Sequence, residues 1–380
     1  MLRLSRITAL AEVPAAAWDR LAGTANPFIC HAFLNALETQ DCLHPYGWQP
    51  THLLAWQGDV LVGAVPLYLK TNSYGEFVFD WAWASAYERS GLAYYPKLVG
   101  AVPYTPATGP RLLVAPQADA AAIKTLLIQG IEELTRSLGF SSAHLLFTDT
   151  PDTAALAAQG WLLRLGCQFH WENQGYRDFD DYLDAFVSKK RKQIRRERRD
   201  AQNFQGEIVI LDGHTATDSD WAAFHGFYTS TFERKSGTPT LQLNFFKTLA
   251  ETIPEAIVLV MARQGTHSVA GAFNLRGTDT LYGRHYGCGE HFRHLHFELC
   301  YYQTLDYCIQ HGLQRFEAGA QGEHKLSRGF LPKPTWSAHQ LAQPQFASAV
   351  QRFLAQETPA MQAYIEELHT HSPFSAQTSD

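Results

Sequence analysis

The stretch AIVLVMARQGTHSVAGAFNLRGTDTLYGRHYG, residues 256–287, decides the fold. A mostly apolar run at 256–263 reaches a turn at Gln264-Gly265, reverses into 268–277, and reverses again into TLYGRHYG at 280–287. Apolar, β-branched runs broken by glycine-containing pairs read as an antiparallel three-strand meander. Working outward, the same plan occurs earlier. THLLAW (51–56) and DVLVGAVPLYLK (59–70) flank a turn at Gln57-Gly58, and EFVFDWAW (76–83) supplies a third predicted strand. Gly63-Ala64 and Gly271-Ala272 stand at matching depth, 208 residues apart. Amphipathic helical stretches precede each meander, at 14–22 and 30–39, then at 218–233 and 242–252. A longer helix follows each, at 117–138 and 293–311, and then a short strand, at 142–147 and 313–319. One two-fold repeat means a duplicated domain, since a solenoid needs three or more units. The predicted architecture is α/β, with a mixed sheet in each of two tandem domains, 1–172 and 173–342. A closing helix and polar tail occupy 343–380, and the predicted ligand groove lies between the domains.

The composition agrees with a folded chain. Of 380 residues, 46% are hydrophobic and 18% charged, which excludes global disorder. The net charge of -6 argues against coating nucleic acid over the whole surface, though not against local patches. No run approaches the ~18 apolar residues of a membrane-spanning helix. Glu12 interrupts the short apolar run of MLRLSRITALAEV, so no signal peptide is read there. Six scattered cysteines without a CxxC pair read as reduced, mostly buried thiols, and the expected location is the cytoplasm.

Four strings narrow the reading: NSYGEFVFDWAWASAYERSGLAYYPKL (72–98), TPATGPR (105–111), LHFELCYY (295–302) and GAQGEHKLSRGF (319–330). Together with the element order, they resemble a bacterial FemAB-like family of predicted N-acyltransferases, built as two GNAT acyltransferase folds in tandem. The resemblance covers nearly the whole chain. It implies transfer of an acyl or aminoacyl group to an amine, from acyl-CoA or aminoacyl-tRNA as donor substrate. The acceptor is then a small amine or a peptidoglycan precursor, and no permanently bound cofactor or metal is implied.

The densest chemistry lies in EAGAQGEHKLSRGF (317–330), which follows a strand predicted to end near Ala318. Open α/β sheets place ligands at the carboxyl ends of strands. Amine acylation needs a route for the amine's proton and donors for the developing oxyanion. Glu323 and His324 are candidate proton acceptors, and Lys325 and Arg328 candidate donors to an oxyanion or phosphate; the plainer reading is a self-paired polar turn. In Fem-type transferases a lysine precedes a Gly/Phe pair near this position. Lys325 ahead of Gly329-Phe330 is similar, which implies that it steadies the tetrahedral intermediate. RHYGCG (284–289) fits the Arg/Gln-x-x-Gly-x-Gly/Ala loop by which GNAT domains hold a CoA pyrophosphate. Arg284, Gly287 and Gly289 are therefore candidate phosphate contacts, against the alternative of an ordinary turn. In HFRHLHFE (291–298), His294 and Glu298 would share a helix face, with Glu298 a pocket candidate; no third metal ligand stands at helical spacing.

The run KKRKQIRRERR (189–199) carries eight Lys/Arg and one Glu, which leaves -13 on the rest of the chain. Its like-charge i,i+4 pairs each cost a few tenths of a kcal/mol, which an anionic partner would offset. Arg191 and Arg195 are candidate contacts to tRNA, a diphosphate-linked precursor or lipid headgroups. Alternatively, Asp178, Asp180, Asp181 and Asp184 fold against the run. Finally, Phe77, Phe79, Trp81 and Trp83 would share one face of the predicted strand 76–83, either as core or as the wall of an acceptor groove. Asp80, Trp81, Trp83, Glu88 and Arg111 are the acceptor-groove candidates. A function of another class, non-catalytic binding of RNA or an anionic cell-wall precursor, is separated from transfer by what happens at residues 317–330.

Overall fold

Both predicted hairpins form in the computed structural model, which describes residues 2–319 and 322–375. The chain divides into two compact units, Met1–Cys167 with Pro334–Tyr364 and Gln168–Lys333 with Ile365–Asp380. Residues 334–342, predicted in the second domain, and most of the closing helix thus belong with the first unit.

The first unit runs β1 (Leu2–Ile7), α1 (Ala15–Ala22), α2 (His31–Thr39), β2 (Trp48–Pro50), β3 (His52–Gln57), β4 (Val60–Val65), β5 (Leu67–Lys70), α3 (Trp81–Arg89), β6 (Lys97–Gly100), β7 (Leu113–Val114), α4 (Ala120–Ser137), β8 (Ser142–Thr148) and α5 (Thr150–Ala158). Strand β9 (Leu162–Glu172) leads into the second unit, which holds α6 (Phe179–Asp184), α7 (Ser188–Ala201), β10 (Glu207–Leu211), α8 (Asp218–Arg234), α9 (Leu243–Thr252), β11 (Ile257–Gln264), β12 (His267–Arg276), β13 (Thr280–Cys288), α10 (Leu295–Phe297), α11 (Gln303–Gln310) and β14 (Arg315–Glu317). Strand β15 (Leu331–Leu341) and α12 (Pro344–Thr370) close the chain.

The repeat is visible in the pairing. β1 lies antiparallel to β3 as β10 does to β11, and the hairpins β3–β4 and β11–β12 turn through Gly58 and Gly265, at φ +61° and +58°. Tight hairpin turns favour that left-handed backbone. In the second unit β13 follows β12 directly, and then pairs in parallel with β14 over Thr280–Tyr282 and Arg315–Glu317. In the first unit the third meander strand is not 76–83. The chain leaves β4 for an excursion through β5, α3 and β6, and β4 pairs instead with the two-residue β7. Residues 76–80 cannot extend as a strand, because Gly75 and Phe77 both adopt positive φ. From Trp81 the helical period takes over: Trp83 and Tyr87, one turn apart, are buried together.

Capping fixes the helices around these sheets. Asp119, Asp149 and Asp178 accept bonds from the first-turn amides of α4, α5 and α6, and Thr217 with Asp220 forms a capping box on α8. Each unit has its own apolar core. In the first, Trp83, Tyr87 and Tyr94 pack with Leu341, Val350 and Leu354, and the ring of Phe346 stacks on Tyr87 at 3.8 Å.

Candidate active site

Within the second unit, β14 ends at Glu317 while its parallel neighbour β13 runs on to Cys288. A 3₁₀ turn, Glu323–Arg328, carries the polar residues of the predicted loop; Ala320 and Gln321 lie outside the described residues. Lys325 is 3% exposed. Among the described residues, its ammonium donates one hydrogen bond, 2.8 Å to the Gly319 carbonyl, and no carboxylate reaches ion-pair distance. Burial lowers its pKa to about 8, and Arg284 pushes the same way. Burial drives the Cys300 thiol itself far up, so it stays protonated.

His324 sits at the exposed edge of the turn, its Nε2 2.9 Å from the Tyr301 hydroxyl. Burial, with Lys325 and Arg328 nearby, lowers its pKa, so the imidazole is neutral at pH 7. His296 is held near 4 by burial and by the same cations. Glu323 is exposed at the first position of the turn.

Facing the turn is a helix of irregular build. The helix predicted over 293–311 forms from Leu295 to Gln310: it starts late because His294 is left-handed at φ +62°, and α10 passes through one π-helical turn, Glu298–Tyr302, before α11. Such turns recur at functional sites. The predicted helix-face pair of His294 and Glu298 is therefore lost. Glu298 is buried, accepts from Gln303 (2.7 Å) and Arg198 (3.2 Å), and leaves its second oxygen unpartnered. Burial raises its pKa.

Several predicted ligand contacts are engaged inside the protein. Arg328 is 4% exposed, bonded to Glu197 at 2.8 Å and laid over the Phe297 ring at 3.5 Å, which takes it away from a donor's phosphate. The RHYGCG segment is strand, not a phosphate loop. An added Cβ at Gly287 would meet the Phe227 carbonyl at 2.3 Å, and the Gly289 amide donates to Val269. These glycines let β13 approach α8. Arg284 remains beside Lys325, half-buried on β13.

The basic run forms α7 as predicted, with Ile194, Glu197 and Ala201 on its buried face. The upstream aspartates do fold against it: Asp184 pairs with Arg191 at 2.8 Å and Asp180 with Arg195 at 3.4 Å. Arg195 stays exposed all the same, along with Lys189, Lys192, Arg196 and Arg199. Glu197, the lone acid of the run, was not predicted to matter. It accepts from Arg328, Tyr302 and Gln193, so it ties α7 to the Lys325 turn and to the π-helical turn. Its spacing with Ile194 and Ala201 was the available signal.

The first unit holds a second polar cluster, under the 72–98 string. Lys97 on β6 is fully buried and pairs with Glu76 (2.8 Å) and Asp80, while also donating to Ser73 (2.9 Å). Tyr94 donates to Asp80 at 2.6 Å. His144 meets Ser142 (2.8 Å), Tyr94 (3.3 Å) and His339 (2.7 Å), and burial keeps both imidazoles neutral. Burial and the neighbouring Asp80 raise Glu76 to about 7 despite Lys97. Asp80 is thus a buried partner of Lys97, not an exposed acceptor contact. Trp83 is core, and Arg111 is fully buried, donating to the carbonyls of Ala107, Gly109, Pro110 and Leu146. Arg111 therefore cannot meet an anion; it fastens the 105–111 loop to β8. Trp81 and Glu88 alone of the five acceptor candidates line an open groove, of about 610 Å³.

Among the described residues, no group of three or more His, Cys, Asp or Glu could hold a metal ion, and no helix is long and apolar enough to cross a membrane. A family model described as FemAB-like, peptidoglycan biosynthesis/recognition, matches residues 9–376. The chain belongs to the FemAB-like family. No curated protein matches it. Among solved structures, this FemAB-like chain is similar to FemX, at 9% identity and TM-score 0.54 over 92% of this chain and 100% of FemX. It is also similar to L-PGS from Bacillus licheniformis, at 10% identity and TM-score 0.55 over 90% of this chain and 97% of that one. A tandem GNAT protein from the clavulanic acid pathway aligns at 12% identity, TM-score 0.45, over 90% and 99% of the two chains. The FemAB-like chain is an α/β protein whose two halves repeat one strand-pairing plan.

Proposed function

We propose that this FemAB-like chain is an N-acyltransferase of cell-wall assembly, moving an acyl or aminoacyl group from acyl-CoA or aminoacyl-tRNA to an amine. The observation that carries the reading is Lys325: a buried ammonium with one carbonyl partner among the described residues, at the carboxyl end of a parallel strand pair. A cation so placed is available to an oxyanion and is strengthened by exclusion of water. In the proposed reaction the neutral acceptor amine attacks the donor's acyl carbonyl, and Lys325 steadies the oxyanion. The amine's proton passes to neutral His324 and then to the departing thiolate or ribose oxygen, leaving an amide and a protonated leaving group. The family's peptidoglycan description and the likeness to FemX favour a cell-wall acceptor.

The test begins with mass spectrometry of what co-purifies with the native protein, which selects the donor. Transfer to an amine panel is then followed for wild type and Lys325→Ala. Loss of an oxyanion donor lowers kcat by about a hundredfold or more. A Lys325→Ala variant turning over at the wild-type rate removes the assignment. A wild type silent with both donors, yet binding RNA or an anionic precursor through α7, replaces transfer with binding.

A further inference from the structure

The far end of the chain returns to the Lys325 turn. Helix α12 ends at Thr370, and residues 365–375 belong with the second unit. There the chain lies along the connection between α6 and α7. Val187 donates its amide to the Pro373 carbonyl at 3.0 Å, and Ser375 donates to the Ala185 carbonyl at 2.9 Å. Phe374 and Phe186 are thereby paired in one antiparallel bridge. Residues 371–375 form a strap, held by the main-chain pairing that an added strand uses.

The strap delivers one ring to the turn. Phe374 lies 4.7 Å from Phe186 and 6.3 Å from Tyr182, centroid to centroid, and the tips of all three rings converge on Gly329. A methyl group there would strike the Tyr182 hydroxyl and stand 2.9 Å from both phenylalanine rings. Gly329 ends the 3₁₀ turn in the left-handed region, at φ +83°, with its amide bonded to Leu326. Tyr182 donates to the adjacent Arg328 carbonyl at 2.6 Å. The next residue, Phe330, is buried and donates its amide back to the Lys325 carbonyl at 3.3 Å. A line of contact therefore runs from Phe374 through Gly329 and Phe330 to the backbone of Lys325. It is separate from Glu197, which holds the same turn by the Arg328 side chain.

We infer that Phe374 is a positioning residue: the docked strap locks Gly329 in its left-handed form and so keeps the Lys325 ammonium buried in its turn. Two backbone bonds and one half-buried ring hold the strap, between exposed Ser372 and Ser375. Pieces held so lightly open while the rest of a unit stays folded. Undocking frees the turn and lets water reach the ammonium. The consequence for catalysis rests on the transfer reading; the shielding of Lys325 does not.

Competitive acetylation of the full-length protein with acetic anhydride, read at Lys325 by peptide mass spectrometry, measures that shielding, and hydrogen exchange over 325–330 reads the backbone. Phe374→Ala should label Lys325 about tenfold faster and speed exchange over 325–330, while exposed Lys189 labels as in wild type. Phe374→Tyr keeps the ring and should match wild type. Val187→Pro removes the amide that holds Pro373 and leaves every ring in place; Phe186, extended in its bridge, accepts a following proline. It should raise Lys325 labelling about threefold. In the transfer assay Phe374→Ala should lower kcat about tenfold with the donor KM unchanged. Wild-type labelling and exchange in Phe374→Ala overturns the inference. Faster exchange spread over β11 and β12 as well also overturns it, because the whole unit would then have loosened. Fast labelling confined to Lys325 with a wild-type kcat upholds the strap and removes Lys325 from the transfer reading instead.

Discussion

An ammonium group shut away from water is under electrostatic strain, and Lys325, bonded to the Gly319 carbonyl, is such a group. Its shift from 10.5 to about 8 corresponds to roughly 3 kcal/mol between protonation states. Two consequences follow for Lys325. If its charged form steadies the oxyanion, kcat falls as pH rises through about 8, and Lys325→Arg, which does not titrate there, loses that alkaline limb whatever its absolute rate. For stability, a lowered lysine pKa means the unfolded chain binds more protons between about 8 and 10.5. The site's contribution is therefore fullest above 10.5 and is lost as pH falls to about 8. Lys325→Met should accordingly melt higher than wild type at pH 7 while losing transfer. Glu76 carries the opposite sign. Raised to about 7, it contributes most below its ordinary 4.5 and loses that contribution as pH rises through 7; Glu76→Gln should flatten the melting temperature of the first unit between pH 5 and 8. Lys97→Met, by contrast, strands Asp80 and Glu76 together in the core and should cost about 3–5 kcal/mol by denaturant titration. These buried charges were hard to read from sequence. Lys97 stands among apolar strand residues, and its acids are 21 and 17 positions away, at separations no helical or strand period reports.

Among the elements, the link between α7 and the 3₁₀ turn is made by Glu197. Glu197→Ala leaves Arg328 buried beside an aromatic ring with no carboxylate, which should cost about 3–5 kcal/mol and loosen the turn that holds Lys325. Hydrogen exchange of 323–328 should report that loosening, and an exchange pattern like wild type would show that the turn is held otherwise. Gly287→Ala drives a methyl group into the Phe227 backbone and should lower the melting temperature sharply, without specifically changing affinity for CoA. The two hairpins and α7 were legible because each carries one unambiguous period. The 76–88 segment carries two: Phe77, Phe79, Trp81 and Trp83 alternate as a strand would, while Trp83 and Tyr87 repeat as a helix does. Only the positive φ at Gly75 and Phe77 breaks the tie. The RHYGCG pattern misled for a related reason. Glycine is needed both where a phosphate approaches and where a helix backbone does, and here α8 is the neighbour.

For the whole molecule, the notable feature is how the chain is apportioned. The first unit is completed by Pro334–Tyr364, whose Leu341, Val350 and Leu354 cover Trp83, Tyr87 and Tyr94. Burying such side chains contributes about 1.5–3 kcal/mol each, comparable to the net stability of a domain. A chain ending at residue 342 should therefore lose the cooperative melting of the first unit, while the hairpin pairing of the second unit persists. A truncated chain that melts like the full one would show that α12 is dispensable. This apportioning has a consequence for synthesis. Residues 334–364 leave the ribosome after nearly all of the second unit has emerged, so the N-terminal half cannot close when its own residues are finished. It must wait, aromatic face uncovered, until those residues are made. A premature stop within residues 334–364 would consequently damage the half made first.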